Sequence, residues 1–190
     1  MSIGELVVRK RDASATRANL LAAATAHFSR EAYDSVSLRA IAADAGVDVS
    51  LVSRYFGGKE ELFAAVLESC PPPDEMFTGS QADFGERMAR MLIDDPLEND
   101  KFDIFLVMLR SASHPGAAQA ISKSGQERFY GPFADWLGGR HAPERVRVAA
   151  GIMKGVMIDR RINEDFGLTP KERERFRARL AKVLQAAVDP

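Results

Sequence analysis

Apolar residues recur three and four positions apart along nearly the whole 190-residue chain. Almost no segment alternates with period two. A half-buried strand needs that alternation, whereas a helix that packs on one face needs the longer spacing. The sequence therefore predicts an all-α fold of about nine helices. With 46% hydrophobic residues, there is apolar side chain enough for one large domain, or for a small head on a larger body.

The first helix is predicted over about 13–30, with Leu20, Leu21, Ala24 and Phe28 on one stripe. Asp34 to Ser37 reads as a turn, and Ser37 is placed to cap a second helix. Ala45-Gly46-Val47-Asp48 ends that helix and starts a third. Gly57-Gly58 ends the third, and Lys59-Glu60-Glu61 opens a fourth with its acids where the helix dipole favours them. Pro71-Pro72-Pro73 forbids helix continuation and marks the clearest break. Five further helices are predicted at about 81–94, 97–113, 115–137, 142–164 and 170–188. Gly125 and Gly131-Pro132 should kink or split the one that contains them. The expected organisation is a head over residues 1–58 and a body over residues 59–190.

Residues 37–56 carry the most specific pattern. Leu38, Ile41, Ala42 and Ala45 give a short helix a tight apolar face, and Ala42 is small where two backbones must come close. Gly46 stands where the chain reverses, and a left-handed conformation costs glycine little. Val47 points back to the core, and the Asp48 carboxylate can cap the next helix. Val52 and Phe56 pack that helix inward, which leaves Val49, Ser50, Ser53 and Arg54 facing out. Two short helices crossing at a steep angle form a helix-turn-helix. An exposed second helix with short polar side chains and an Arg suits the major groove, where Arg pairs with guanine and Ser with several base edges. Each residue alone also fits a helical hairpin with a solvated outer face; the joint spacing is what favours DNA.

The stretch from Thr16 to Val66 resembles the head of TetR-type transcriptional regulators. The resemblance is carried by Ala22-Ala23-Ala24 and Phe28, Tyr33 and Ser37, Ile41-Ala42, Ala45-Gly46-Val47, Tyr55-Phe56 and Lys59-Glu60. It implies that Ser37, Tyr55 and Lys59 contact the sugar-phosphate backbone and that Val49, Ser50, Ser53 and Arg54 approach base edges. Phosphate contacts set register and base contacts carry sequence information. Many members have Tyr where this chain has Ser53, Gly or Pro in place of Ser50, and Gly in place of Ala32. The first departure implies one backbone contact fewer. Arg9, Lys10, Arg11 and Arg17 fit an arm that adds phosphate contacts, or a solvated tail.

The resemblance further implies a body that binds a small molecule and dimerises. Six of the eleven Phe residues lie between positions 77 and 133. From that region Phe84, Met88, Met91, Phe105, Met108, Phe129, Phe133 and Trp136 are candidates to line a pocket for a largely apolar effector. A plain core accounts for the same residues. Val148, Gly151, Ile152, Gly155 and Val156 on one helix, with Phe176, Leu180, Val183 and Leu184 on the last, are candidates for half of an intersubunit four-helix bundle. Gly151 and Gly155 lie four apart and would let another helix come close. Burial within one subunit would produce the same pattern.

Charge argues little either way. Residues 1–59 hold eight basic and six acidic side chains, against 18 and 21 in the remainder, a weak asymmetry. No apolar run reaches the length of a membrane helix, and residues 1–12 do not read as a signal peptide. A single cysteine, Cys70, excludes an internal disulfide, so a cytoplasmic location is expected. His27, His114 and His141 stand in separate segments without ligands at metal spacing. No catalytic motif is present, so neither an enzyme nor a cofactor is expected. The expected function is a ligand-responsive DNA-binding regulator, a repressor that binds a palindromic operator as a dimer. The alternatives are an effector-independent DNA-binding protein and a helical small-molecule-binding protein without DNA binding.

Overall fold

The structure is a computed structural model that describes residues 3–69, 74–96 and 100–190, with the backbone alone at 3–12, 74–75 and 100–103. Cys70, Pro71-Pro72-Pro73 and the side chains of Arg9, Lys10, Arg11 and Phe102 lie outside the described residues. Every regular element among the described residues is helical. In chain order these are α1 (Ile3–Arg30), α2 (Leu38–Asp44), α3 (Ser50–Phe56), α4 (Lys59–Ser69), α5 (Asp74–Phe77), α6 (Phe84–Asp94), α7 (Asp100–Ser111), α8 (Pro115–Gly125), α9 (Gly131–Leu137), α10 (Ala142–Ile162) and α11 (Pro170–Val188). Helix α1 begins ten positions before the expected start, since Gly4 alone does not stop a helix.

The chain forms two compact units, Met1–Pro71 with Glu98–Ser124 and Pro72–Leu97 with Gly125–Pro190. They cut across the expected 58/59 division. Helices α4, α7 and α8 belong with the first three helices, and the body region is shared between the units.

In the first unit α1 packs on α7, α4 and α2. Its stripe buries Leu20, Ala24 and Phe28 completely, beside Ile41 and Ala42 of α2, Val52 of α3 and Leu62, Phe63 and Val66 of α4. Ile104 and Val107 of α7 and Ala117 of α8 complete this core. Gly46 has φ +69°, the left-handed turn that the α2–α3 link requires.

In the second unit α6 and α11 form the closest helix pair. Gly85 makes that approach possible, because a Cβ there would run into the Ala181 carbonyl and Gln185. Phe84, Met88, Ala89, Leu92 and Ile93 of α6 meet Leu180, Leu184 and Val188 of α11. Phe133, Leu137, Val146, Ala149 and Met153 close the core. The helix expected over 115–137 is split, as its glycines and proline predict. Helix α8 ends at Gly125, a π-helical turn covers Gln126–Tyr130, and α9 starts at Gly131 with Pro132 in its first turn. The boundary between the units falls at this break.

Candidate nucleic-acid interface

Helices α2 and α3 present a small surface to solvent. Ser37 precedes α2, and its carbonyl accepts the first helical bond from the Ile41 N–H at 3.1 Å. Its exposed hydroxyl makes no capping bond. Val49 is 37% exposed, a cost for an apolar side chain left in water. Ser50, Ser53 and Arg54 are exposed, whereas Val52 on the opposite side is fully buried. Tyr55 is half-buried against the core of the first unit. The turn before α3 is held by Asp48. Its Oδ1 accepts both the Ser50 backbone N–H at 2.8 Å and the Ser50 hydroxyl at 2.5 Å. These two bonds, the hydroxyl first, hold the Asp48 carboxyl below the usual carboxylate range.

Around this surface the first unit is braced by rings and charges. Tyr33, in the 3₁₀ turn before α2, meets Phe63 edge-on at 5.2 Å and stacks with Phe28 at 5.8 Å between ring centroids. The His114 ring lies 4.4 Å from it, between α7 and α8. The Lys59 ammonium sits 4.8 Å over the Tyr33 ring and donates to the Asp34 carbonyl at 3.4 Å. Burial is the main cause that lowers the Lys59 ammonium below its ordinary value, against the opposing pull of Asp34 and Glu31. Lys59, which the family resemblance implies as a phosphate contact, is thus half-buried and engaged. Arg17 lies over the Phe56 ring at 4.8 Å, the one side chain of the four arm candidates that is described.

His27 links α1 to α2. Its Nδ1 lies 2.8 Å from Glu31 and its Nε2 lies 2.8 Å from Asp44. Two carboxylate partners on one ring require both nitrogens to donate, which only the imidazolium can do. The bond to Glu31 is the largest cause raising its pKa above the ordinary 6.5, opposed by burial and joined by Asp44. The Asp44 contact ties α1 to α2.

The other two candidate sets are redistributed by the fold. Phe84, Met88 and Phe133 lie in the core of the second unit, with Met91, Phe129 and Trp136 packed against it. Rings of Phe84, Phe133 and Trp136 stand 5.2–6.0 Å apart. Phe105 and Met108 belong to α7 in the first unit, so the eight residues do not share one core. Leu180 and Leu184 are buried against α6 and do not face outward. They lie on the inner side of α11, which needs its own apolar stripe. The exposed residues of the bundle set are Val148 at 54%, Val183 at 51%, Gly151 and Gly155, with Ile152, Val156 and Phe176 half-buried. A Cβ on Gly151 or Gly155 would meet nothing within 4 Å. No group of three or more His, Cys, Asp or Glu side chains that could hold a metal occurs among the described residues. None of the described helices is long and apolar enough to cross a membrane.

The profile of bacterial regulatory proteins of the tetR family matches residues 20–66, and the C-terminal domain profile of tetracyclin repressor-like proteins matches residues 82–188. The chain belongs to the TetR family. Among curated relatives, this TetR-family chain is 29% identical to the HTH-type transcriptional repressor SCO4008 of Streptomyces coelicolor over 119 residues, 62% of this chain and 53% of that one. The match thus spans about half the length of that relative. Among solved structures, a TetR-family regulator of Streptomyces coelicolor A3 is 27% identical, with a TM-score of 0.54, over 92% of this chain and 95% of the other. The multidrug binding protein EbrR, solved with proflavin, has a TM-score of 0.58 at 18% identity over 88% and 99% of the two chains. The TetR-family fold accounts for the all-helical architecture.

Sequence reasoning placed Asp48 as a cap for α3 but missed the added bond from the Ser50 hydroxyl, and it missed the clasp of His114 and Lys59 on Tyr33. The first had a signal, an acidic residue two positions before a Ser at a helix start. The second joins residues 81 positions apart in the chain and had none.

Proposed function

We propose that this chain is a cytoplasmic, non-enzymatic DNA-binding transcriptional regulator, a repressor that binds a palindromic operator as a dimer and is released by a largely apolar small molecule. One observation carries the reading. Val49 at the N-cap of α3, with Ser50, Ser53 and Arg54 on it, is exposed opposite the buried Val52, in a chain of this family. A helix in the major groove reads bases with such a face. The related repressor SCO4008 supports repression as the output. Ser37 and Tyr55 flank the face and would bond phosphates. Lys59 would reach a phosphate by leaving the Asp34 carbonyl.

Dimerisation is supported by the exposed Val148 and Val183 and by the open groove at Gly151 and Gly155. Paired heads about 34–36 Å apart would enter successive major grooves. An effector would act by favouring a state with a different spacing. The multidrug binding protein EbrR, solved with proflavin, supports a small-molecule effector. Phe84, Met88, Met91, Phe129, Phe133 and Trp136, which share the core of the second unit, would meet it there.

Binding to duplex DNA from the promoter beside its own gene, measured across a salt series, tests the reading. Lys59→Ala should weaken binding to every duplex. Arg54→Ala should also cut the preference for the operator by roughly tenfold. A monomer without salt-dependent DNA binding would sink the proposal.

A further inference from the structure

We infer that Asp48 fixes the hydrogen-bond polarity of Ser50, so that Ser50 reads the exocyclic amino group of an adenine or a cytosine and disfavours base edges that offer only acceptors. The inference rests on the DNA-binding reading above and specifies what one position of α3 reads.

A serine hydroxyl has one proton to donate and two lone pairs that accept. An unengaged serine serves donor and acceptor edges alike, which makes it a poor discriminator. Here the proton is committed. Ser50 Oγ donates to Asp48 Oδ1 at 2.5 Å, and the Ser50 backbone N–H donates to the same oxygen at 2.8 Å. A bond from a hydroxyl to an ionised carboxylate is short and about twice as strong as a neutral one. The backbone bond holds the carboxylate beside the hydroxyl, which favours this bond over the alternatives. The lone pairs on Oγ are then all that Ser50 offers an incoming base. In the major groove adenine N6 and cytosine N4 donate, while guanine N7 and O6 and thymine O4 accept. The carboxylate beside Ser50 reinforces the preference, since it too repels acceptor edges. Asp48 is therefore a positioning residue and Ser50 the specificity-determining one.

Selection of the full chain against a random duplex library at fixed salt should return adenine or cytosine at one position of each half-site. Deleting the amino group there, with purine for adenine or pyrimidin-2-one for cytosine, should weaken wild-type binding about tenfold. Ser50→Ala should bind the intact and the deleted duplex alike. Asp48→Ser keeps an oxygen to cap the helix and removes the charge that holds the hydroxyl. It should admit guanine or thymine at the same position, with a melting temperature close to wild type. If Ser50→Ala still loses tenfold on deletion, or if folded Asp48→Ser keeps the full preference, the inference is overturned. The Ser50→Ala comparison decides the matter even if Asp48→Ser does not fold. Absence of salt-dependent binding to any duplex overturns the DNA-binding reading and this inference together. Retained binding with unmoved preferences overturns the inference alone.

Discussion

The two units solve the same problem, fixing the loops between short helices, by different means. The first surrounds its key turn with rings, placing Tyr33 between Phe28, Phe63 and His114 under the Lys59 ammonium. The second uses guanidinium groups aimed at chain carbonyls. Arg160 donates to the Leu92 carbonyl at 2.9 Å and Arg173 to that of Ile93 at 2.6 Å, both at the end of α6. Both also hold Asp165, in a turn where Glu164, Asp165 and Phe166 all have positive φ. Arg145 donates to the carbonyls of Gly138, Arg140 and Val188. Ring packing fixes that turn through apolar contact, while Ser50, Ser53 and Arg54 of α3 stay exposed. Carbonyl-directed arginines fix helix ends and leave apolar side chains such as Val148 and Val183 exposed.

The sharpest way to break this contrast is to remove a ring. Phe28→Ala takes a fully buried side chain from the centre of the first core and should cost about 3–5 kcal/mol. Hydrogen exchange should locate the loss in α1, α2 and α4. A cost below about 1 kcal/mol would mean that rings do not carry the unit. In the second unit Asp165→Asn removes the charge that Arg160 and Arg173 share, and should cost about 1–2 kcal/mol in urea unfolding. Burial tends to raise the Asp165 carboxyl, but the bonds and charges of the two arginines outweigh it and the net shift is downward. Its contribution is therefore present above the ordinary carboxylate range and lost as the pH falls through the lowered value. The Asn variant should lose less stability on acidification than the wild type does.

The smallest effect belongs to His27. Its raised pKa makes its contribution complete below 6.5 and lost as the pH climbs through the folded value. The carboxylates facing it are Glu31 of its own helix and Asp44 of α2, both partly exposed. Screening therefore keeps the gain under about 1 kcal/mol. His27→Gln should flatten the dependence of the denaturation midpoint between mildly acidic and mildly basic buffer. An unchanged slope would show that the link between α1 and α2 carries no charge.

Residues whose role follows from spacing were legible in the sequence. Leu20, Ala24, Phe28, Ile41, Val52 and Gly46 took their expected places because helical periodicity and a left-handed turn are local properties. The outward face of α3 followed from the same periodicity. Leu180 and Leu184 were misplaced because a stripe says that a helix is buried, not against what. Phe105 and Met108 were grouped with the other pocket candidates because clustering along the chain does not reveal which core a helix joins. The arginine clamps were invisible, since a backbone carbonyl leaves no mark on the sequence. The link between His114 and Tyr33 was hidden for the related reason that it depends on how distant helices dock.

Lys59 carries one further consequence. Its ammonium is already partly dehydrated and occupied with Asp34 and Tyr33. On the DNA-binding reading, it would have to give up these contacts before it could neutralise a phosphate and displace a counterion. Each phosphate fully neutralised steepens the logarithmic salt dependence by about 0.9. The salt dependence of operator binding would then report how completely Lys59 exchanges Asp34 for a phosphate.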